Sequence, residues 1–177
     1  MTHSDDPAAP GLARARDAGL LPTLASDRRD IAALMAYTLE YAAIAGVEVL
    51  RELYPTIRKE LLAHSRALRK ALYDGFFGDR GPQCELTLQC IAEHDALERR
   101  LRRLDQLDVE SPLWMRKLQA LERTVKRLAE LEETRVSAVL SEELDPESAR
   151  RVKRCYLEDK RERLERLSRP GLDLAAG

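Results

Sequence analysis

The chain is poor in the residue types that mark several classes of protein. It has only three cysteines, Cys84, Cys90 and Cys155, and they form no CxxC pair. This odd number argues against a disulfide framework and against a zinc ribbon, so we expect isolated thiols that are buried or half-buried. Glycine and proline number eight each among 177 residues, while 44% of residues are hydrophobic. This composition is typical of an all-helical globular protein and not of a disordered chain.

The sequence also lacks a long hydrophobic run and an excess of charge of one sign. No apolar stretch approaches the ~20 residues that are needed to span a bilayer, and the polar first 19 residues lack the apolar segment of a secretory signal. We therefore expect a cytoplasmic protein without a membrane partner. The formal net charge is −1, which argues against nucleic acid as a partner of the protein as a whole.

Apolar residues recur at helical spacing in five segments. The expected bounds of these helices are about 31–53, 56–76, 83–107, 112–144 and 147–168. Residues 75–83, GFFGDRGPQ, contain three glycines and a proline and are predicted to form a loop. No segment alternates apolar and polar residues as a half-buried strand would, so we expect no β-structure.

Capping chemistry sets the expected starts of these helices. Ser26 or Asp27 is a suitable N-cap for the first helix, and Pro55 suits the first turn of the second. Ser111 and Asp145 are each followed by a proline, which is the signature of a capped start for the fourth and fifth helices.

Four long helices with short connections favour an all-α, up-down four-helix bundle, to which an extra C-terminal helix is added. The bundle is expected over residues 27–168. Residues 1–26 are expected to be a disordered leader, and residues 169–177 a flexible tail.

Two of the three histidines, His64 and His94, fall within predicted helices of the bundle. The segments around them, together with a third segment, resemble the hemerythrin-like (HHE) family of cation-binding bundles. The stretches that carry the resemblance are LLAHSRALRKALYD (61–74), LQCIAEHDALERRLRRLD (88–105) and KRLAELEETRVSAVLSEELDPESARRV (126–152). They correspond to the second, third and fourth helices of the family.

The resemblance implies a metal site in the centre of the bundle. Each helix of such a bundle can direct one or two imidazole or carboxylate ligands inward, and these ligands suit iron, manganese or zinc. Carried over residue by residue, the surviving ligands are His64, His94 and Glu133, the second acid of the Glu132–Glu133 pair.

The sequence departs from the family pattern at three other ligand positions. The carboxylate that should follow His64 by four residues is Leu68, and the histidine of the fourth helix is Leu128. The first-helix histidine, expected near Thr38 or Leu39, is missing. Two leucines at interior positions fill space that a metal centre would keep polar, so the resemblance implies a bundle without a functional di-iron site.

Three interpretations of function follow from this pattern. The first is a non-catalytic hemerythrin-like bundle without a cofactor, acting as a regulatory or interaction module with a protein partner or a second copy of the chain. The second is a metal-binding protein, or a gas or redox sensor, with one iron or zinc ion at His64, His94 and Glu133. Three residues could help to hold that ion, namely Glu130, Tyr37 and Tyr41. A variant of this interpretation uses Cys90 and His94, which lie four residues apart on one helix, as a Cys/His site for a metal, for haem or for redox sensing.

The third interpretation is a nucleic-acid or partner-binding protein that uses its basic last helix. Residues 150–169 carry nine bases against four acids, although such a terminal helix is usually only solvated. We find no GxSxG sequence, no phosphate-binding glycine loop and no HExxH. The protein is therefore not expected to be an enzyme.

Overall fold

The structure is a computed structural model that describes residues 19–77 and 84–169. All regular secondary structure in these residues is helical, which confirms the all-α class. The helices are α1 (Leu20–Ala45), α2 (Val47–Leu68), α3 (Cys84–Asp105), α4 (Pro112–Leu131), α5 (Ser137–Glu143) and α6 (Pro146–Leu167). π-Helical segments extend α2 over Arg69–Phe76 and join α4 to α5 over Glu132–Val136. None of the described helices is both long and apolar enough to cross a bilayer.

The predicted caps of α4 and α6 are confirmed. The Ser111 side chain accepts a hydrogen bond from the backbone N–H of Leu113 at 3.2 Å. The Asp145 carboxylate accepts from the backbone N–H groups of Glu147 and Ser148, both at 2.9 Å. In both helices the proline occupies the first turn, where its missing N–H costs no intrahelical hydrogen bond.

The prediction for the first two helices was wrong about where one ends and the next begins. The break lies at Gly46, whose φ of 79° is in the region that favours glycine, and Pro55 lies inside α2. The first helix also begins at Leu20, before the predicted Ser26 or Asp27 cap, because Leu20 and Leu24 are buried. The predicted leader up to residue 18, most of the predicted loop (78–83) and residues 170–177 of the predicted tail lie outside the described residues.

The buried apolar side chains form two clusters. The Trp114 cluster contains Ile31, Met35, Ile57, Leu61, Leu97, Leu101, Leu104, Trp114, Leu118, Leu121, Val125 and Leu128, with others. The Tyr73 cluster contains Leu20, Leu24, Leu68, Leu72, Tyr73, Phe77, Leu86, Cys90, Val136, Leu140, Val152 and Tyr156, with others. Helices α1, α2 and α3 each contribute to both clusters, and the continuous α4–α5 rod does the same.

Between the two clusters each of these helices contributes polar residues to the interior. These residues are Asp27 and Arg28 on α1, His64 and Ser65 on α2, His94 on α3, and Glu132 at the end of α4. We call this set the polar layer. Along every helix it lies between residues of the Trp114 cluster on one side and residues of the Tyr73 cluster on the other.

Candidate functional site

The inward direction of the polar layer follows from the helical period. On α2, His64 lies three residues after Leu61 and four before Leu68, both of which are buried. On the α4–α5 rod, Glu132 lies four residues after Leu128 and four before Val136. Residues three or four apart share one helix face, so these polar side chains occupy core positions.

Glu132 lies at the centre of the polar layer and is 1% exposed. Its Oε1 atom lies 3.0 Å from Nε2 of His94, and its Oε2 atom lies 3.7 Å from Nε2 of His64. Arg28 donates to the same Oε2 atom at 3.4 Å. One carboxylate from α4 is thus surrounded by side chains from α1, α2 and α3.

The second nitrogen of each imidazole is held by a neighbouring residue. Nδ1 of His64 lies 2.7 Å from Oδ2 of Asp27, and because an ionised carboxylate only accepts, this nitrogen carries the hydrogen. The Tyr156 hydroxyl lies 2.8 Å from the same nitrogen and donates to the same carboxylate. Nδ1 of His94 is hydrogen-bonded to Oγ of Ser65 at 2.9 Å. Both ring orientations are therefore fixed, and both Nε2 atoms face Glu132.

Helix α6 adds a second cation to the layer. The ammonium group of Lys160 donates to Oδ1 of Asp27 and lies 3.3 Å from Oε2 of Glu60. The side chains of Lys160 and Arg28 are only 12% and 10% exposed. Each of the two layer carboxylates, Asp27 and Glu132, thus contacts a fixed cation of the protein as well as a histidine.

These contacts change the ionisation of the site. Burial by itself would lower the pKa of His64, but hydrogen bonds to Asp27 and Glu132 and the charges of both carboxylates raise it to about 9. Burial opposes ionisation of Glu132, yet its contacts with His64 and His94 hold its pKa well below the usual range. Burial likewise opposes ionisation of Asp27, and contacts with His64, Lys160 and Tyr156 hold its pKa low. At neutral pH the layer therefore contains two carboxylates and a protonated His64.

A small cavity opens beside Glu132. Its volume is about 20 Å³, and its polar lining consists of Arg28, His64, Ser65, His94 and Glu132. This is room for about one water molecule. Nε2 of His94 and Oε1 of Glu132 border the cavity, and within the described residues neither atom has a well-formed hydrogen bond.

The choice of Glu133 as the third ligand requires a correction. Glu133 is exposed, whereas Glu132 is buried between the histidines. The family resemblance selected the second acid of the pair. The apolar stripe of α4 selects the first, because Glu132 is four residues from Leu128 and from Val136, and Glu133 is rotated by about 100° from that face. The structure therefore brings His64 and His94 together with Glu132.

The residues expected to help at the site do not lie there. Glu130 is exposed, and Tyr37 and Tyr41 are 45% and 44% exposed on the outer face of α1. Their placement on the surface excludes them as ligands of the polar layer.

The thiol of Cys90 is buried within the Tyr73 cluster, four residues before His94. Burial is the main cause that raises its pKa to about 11, so the thiol stays protonated at neutral pH. A protonated thiol is a poor nucleophile and a poor metal ligand. Of the other cysteines, Cys155 is free and half-buried, and the Cys84 side chain lies outside the described residues.

The positions that depart from the family pattern are filled by apolar packing. Leu68 is 1% exposed in the Tyr73 cluster, and Leu128 is 4% exposed beside the cavity. At the expected first-helix ligand position, Thr38 is fully buried and donates to the Leu34 carbonyl at 2.9 Å. The contribution of α1 to the layer comes instead from Asp27 and Arg28.

Several residues of the layer were not predicted from the sequence. Asp27 was interpreted as a helix cap, and Arg28, Tyr156 and Lys160 were not selected. The available signal is the buried stripe of α1, in which Leu24 and Ile31 flank Asp27 at helical spacing. No local signal indicates Lys160, because its partner Asp27 lies 133 residues away.

The contacts within the polar layer oppose the binding of a metal ion. In the described part of the chain, no group of three or more histidine, cysteine, aspartate or glutamate side chains is arranged to hold one. The guanidinium group of Arg28 lies on the Glu132 oxygen that His64 also faces. A metal ion at that oxygen would be repelled by the neighbouring fixed cation. In this arrangement, therefore, Arg28 competes with a metal ion for the Glu132 carboxylate.

The basic residues of α6 take part in contacts within the protein. Lys160 contacts α1 and α2, and Arg163 pairs with Asp159 on its own helix. Arg161 and Arg166 lie within ion-pair distance of acids four residues away on α6. These pairs reduce the positive charge that the helix offers to a nucleic acid.

Searches against protein-family models, curated proteins and solved structures find no match for this chain. The resemblance to hemerythrin-like proteins therefore stays a prediction.

Proposed function

We propose that the protein is a non-catalytic helical bundle whose polar layer is neutralised by its own cations, and that it serves as a regulatory or interaction module. The observation that carries this proposal is the placement of Arg28 on Glu132 and of Lys160 on Asp27. In a metal-binding bundle an ion would balance such carboxylates. Here Arg28, Lys160 and the protonated His64 supply three positive charges. They balance the carboxylates of Asp27, Glu132 and Glu60, the last of which lies beside Lys160.

The order of the clusters supports an up-down, hemerythrin-like bundle. α1 runs from the Tyr73 cluster toward the Trp114 cluster, and α2 runs the opposite way. α3 again runs toward the Trp114 cluster, and the α4–α5 rod returns toward the Tyr73 cluster. This alternation, with α6 packed against α2 and α1, agrees with four antiparallel helices and an extra C-terminal helix.

The size of this cavity argues against catalysis at the polar layer. A space of about 20 Å³ beside Glu132 is far below the roughly 300–1,000 Å³ of typical ligand pockets. A molecule larger than water does not fit in this space beside His64, His94 and Glu132. The polar layer accordingly acts on stability and on the alignment of the helices, as buried polar groups do in some coiled coils.

Metal analysis tests this proposal. The full chain, purified without a metal-affinity tag, is expected to contain less than about 0.1 equivalent of iron or zinc, since affinity for either ion is weak in this arrangement. Added zinc or ferrous iron is expected to leave the unfolding temperature unchanged, because a ligand that binds the native state would raise it. About one equivalent of tightly held metal would contradict the proposal.

A second candidate function, a single-metal site, is favoured by one specific observation. Nε2 of His94 and Oε1 of Glu132 are buried, lack hydrogen bonds among the described residues, and border the same cavity. Asp27 and Ser65 hold the other ring nitrogens, as partners of metal-binding histidines commonly do. The ligands of this candidate site are His64, His94 and Glu132.

The two candidates are separated by adjacent variants. If a metal ion binds here, Glu132→Gln should abolish metal binding and Glu133→Gln should leave it unchanged. Of the two side chains, Glu132 borders the cavity and Glu133 is exposed. If the proposal is correct, both variants bind as little metal as the wild type. Arg28→Gln provides a further test, because it removes the cation that competes for Glu132. This variant should bind zinc more tightly only if His64, His94 and Glu132 can contact the same ion.

A further inference from the structure

The outer face of α1 differs from the rest of the surface. Residues 31–45 of this helix contain one charged residue, Glu40, in a chain that is 34% charged. Three large side chains on this face are well exposed, with Ile44 at 80% and Tyr37 and Tyr41 near 45%. Surface helices of monomeric proteins usually place charged residues on their outer face.

The exposed residues form one continuous stripe. Ala33, Tyr37, Glu40 and Ile44 are exposed and recur every three or four residues along α1, and Ala36 is exposed beside Tyr37. The rings of Tyr37 and Tyr41 lie against each other, with centroids 4.4 Å apart. A contiguous stripe of this kind exposes on the order of 500 Å² of apolar surface, which on a small protein commonly marks an interaction site.

We infer that this face of α1 is a self-association surface, on which a second copy of the chain packs antiparallel about a two-fold axis near Ala33 and Ala36. The inference deepens the proposed function by naming the partner of an interaction module. It depends on the surface of α1 alone, so it can fail while the account of the polar layer holds.

The charges on the stripe are self-complementary about that axis. Arg29 and Glu40 are both exposed, carry opposite charges, and lie on either side of Ala33 and Ala36. In an antiparallel pair related by a two-fold axis, residue i of one helix faces residue j of the other and residue j faces residue i. An axis midway between Arg29 and Glu40 therefore places each arginine beside the glutamate of the other copy, twice per dimer.

The side chains near the axis are also complementary in size. Ala33 of one copy would face Ala36 of the other, and these small residues allow two helices to approach closely. Tyr37 would then lie over Ala32 and Ala33 of the second copy. Two stripes together cover roughly 1,000 Å², which reaches the lower limit for a specific interface.

Sedimentation and light scattering of the full chain test the inference. We expect a dimer at about 10–100 µM, the range in which an interface near this lower size limit associates. Ala33→Glu places two like charges next to each other at the axis and is expected to give a monomer. Leu88→Glu serves as the matched control, because Leu88 is a 59% exposed apolar residue on α3, and it should leave the dimer intact.

A charge exchange tests the predicted register. Arg29→Glu alone and Glu40→Arg alone are each expected to weaken association about tenfold, and the double exchange is expected to restore it, because opposite charges then meet again. A wild-type chain that is monomeric at about 100 µM, or a dimer that survives Ala33→Glu, overturns the inference. A double exchange that fails to restore association overturns the two-fold register. A change in metal content bears only on the polar layer, so failures of the two proposals are distinguishable.

Discussion

The Trp114 cluster and the polar layer occupy the same bundle and are stabilised in different ways. In the cluster, Trp114, Leu118 and Leu121 are at most 2% exposed and are surrounded by apolar neighbours. In the layer, Glu132 is just as buried but is surrounded by His64, His94 and Arg28. Burial stabilises the first region directly, whereas in the second it is unfavourable unless every charge has a partner.

The difference shows where this fold depends on solution conditions. Apolar packing does not depend on protonation, so the Trp114 cluster should be equally stable from acid to alkaline pH. The polar layer depends on His64 being charged and on Asp27 and Glu132 being ionised. Replacing a single charged residue of the polar layer should also destabilise the protein more than replacing all of its charged residues together with apolar ones.

The largest expected effect is in the polar layer. Glu132→Gln removes the negative charge that faces both His64 and Arg28, and leaves two buried cations without it. We expect the free energy of unfolding to fall by about 3–5 kcal/mol, as measured by urea denaturation. Glu133→Gln is the adjacent control, and because that side chain is exposed its effect should stay within about 0.5 kcal/mol. Equal effects of the two variants would contradict the assignment of Glu132.

A cavity in the apolar region should cost nearly as much for a different reason. Trp114→Ala removes a side chain that is 2% exposed and packs edge-on against Tyr54, with the ring centroids 5.1 Å apart. We expect a loss of about 3–4 kcal/mol. Leu113→Ala, at a neighbouring residue that is 37% exposed, should cost less than about 1 kcal/mol. The loss of unfolding free energy caused by Trp114→Ala should be the same at pH 6 and at pH 9, roughly three pH units that span the titration of His64. A strong pH dependence of this loss would show that the stabilities of the two regions are coupled.

The pH dependence of stability should come from the layer. Because the pKa of His64 is about 9 in the folded protein and 6.5 in its ordinary state, its stabilisation is fully present below pH 6.5. That stabilisation is lost as the pH rises from 6.5 through about 9, and we expect a decrease of about 3 kcal/mol. Urea denaturation at a series of pH values measures it. His64→Gln should remove this slope, and a variant that retains the full slope would contradict the assignment.

The smallest of these effects should be at the contact of α6 with the layer. Lys160→Met removes the cation that contacts Asp27 and Glu60, and we expect a loss of about 1–2 kcal/mol. Arg161→Met is the control, because Arg161 is 70% exposed and lies at ion-pair distance from Glu165 on its own helix; its effect should be below about 0.5 kcal/mol. Thermal unfolding of both variants decides whether Lys160 stabilises the layer or is an ordinary surface charge.

The sequence predicted the elements whose signals are local. Ser111 and Asp145 identified the starts of α4 and α6, because a cap and a proline act within one turn. The first helix was placed too late because Ser26 or Asp27 was interpreted as its cap. The burial of Leu20 and Leu24, which extends the helix, depends on packing against distant helices. The break at Gly46 was not predicted, because the expected first helix, about 31–53, runs through it.

Only part of the site was predicted, because most of its contacts join residues that are distant in the sequence. His64 and His94 were identified because histidines are rare in this chain. The partner of His64, Asp27, was not identified, because it lies 37 residues away in the sequence. Glu133 was selected by resemblance although the apolar stripe of its own helix pointed to Glu132. The contacts of Arg28 with Glu132, 104 residues apart, and of Lys160 with Asp27 depend on helix packing, which no local pattern encodes.

The charge of His64 is the most direct test of a layer that neutralises itself. Heteronuclear NMR of the imidazole nitrogens, assigned with His64→Gln and His94→Gln variants, measures this charge on the intact chain. We predict that both ring nitrogens of His64 carry a hydrogen at pH 7 (where a neutral ring would carry one) and that the ring loses its proton with a pKa of about 9. A ring that is neutral at pH 7, or whose Nε2 is bound to a metal ion, would contradict the account.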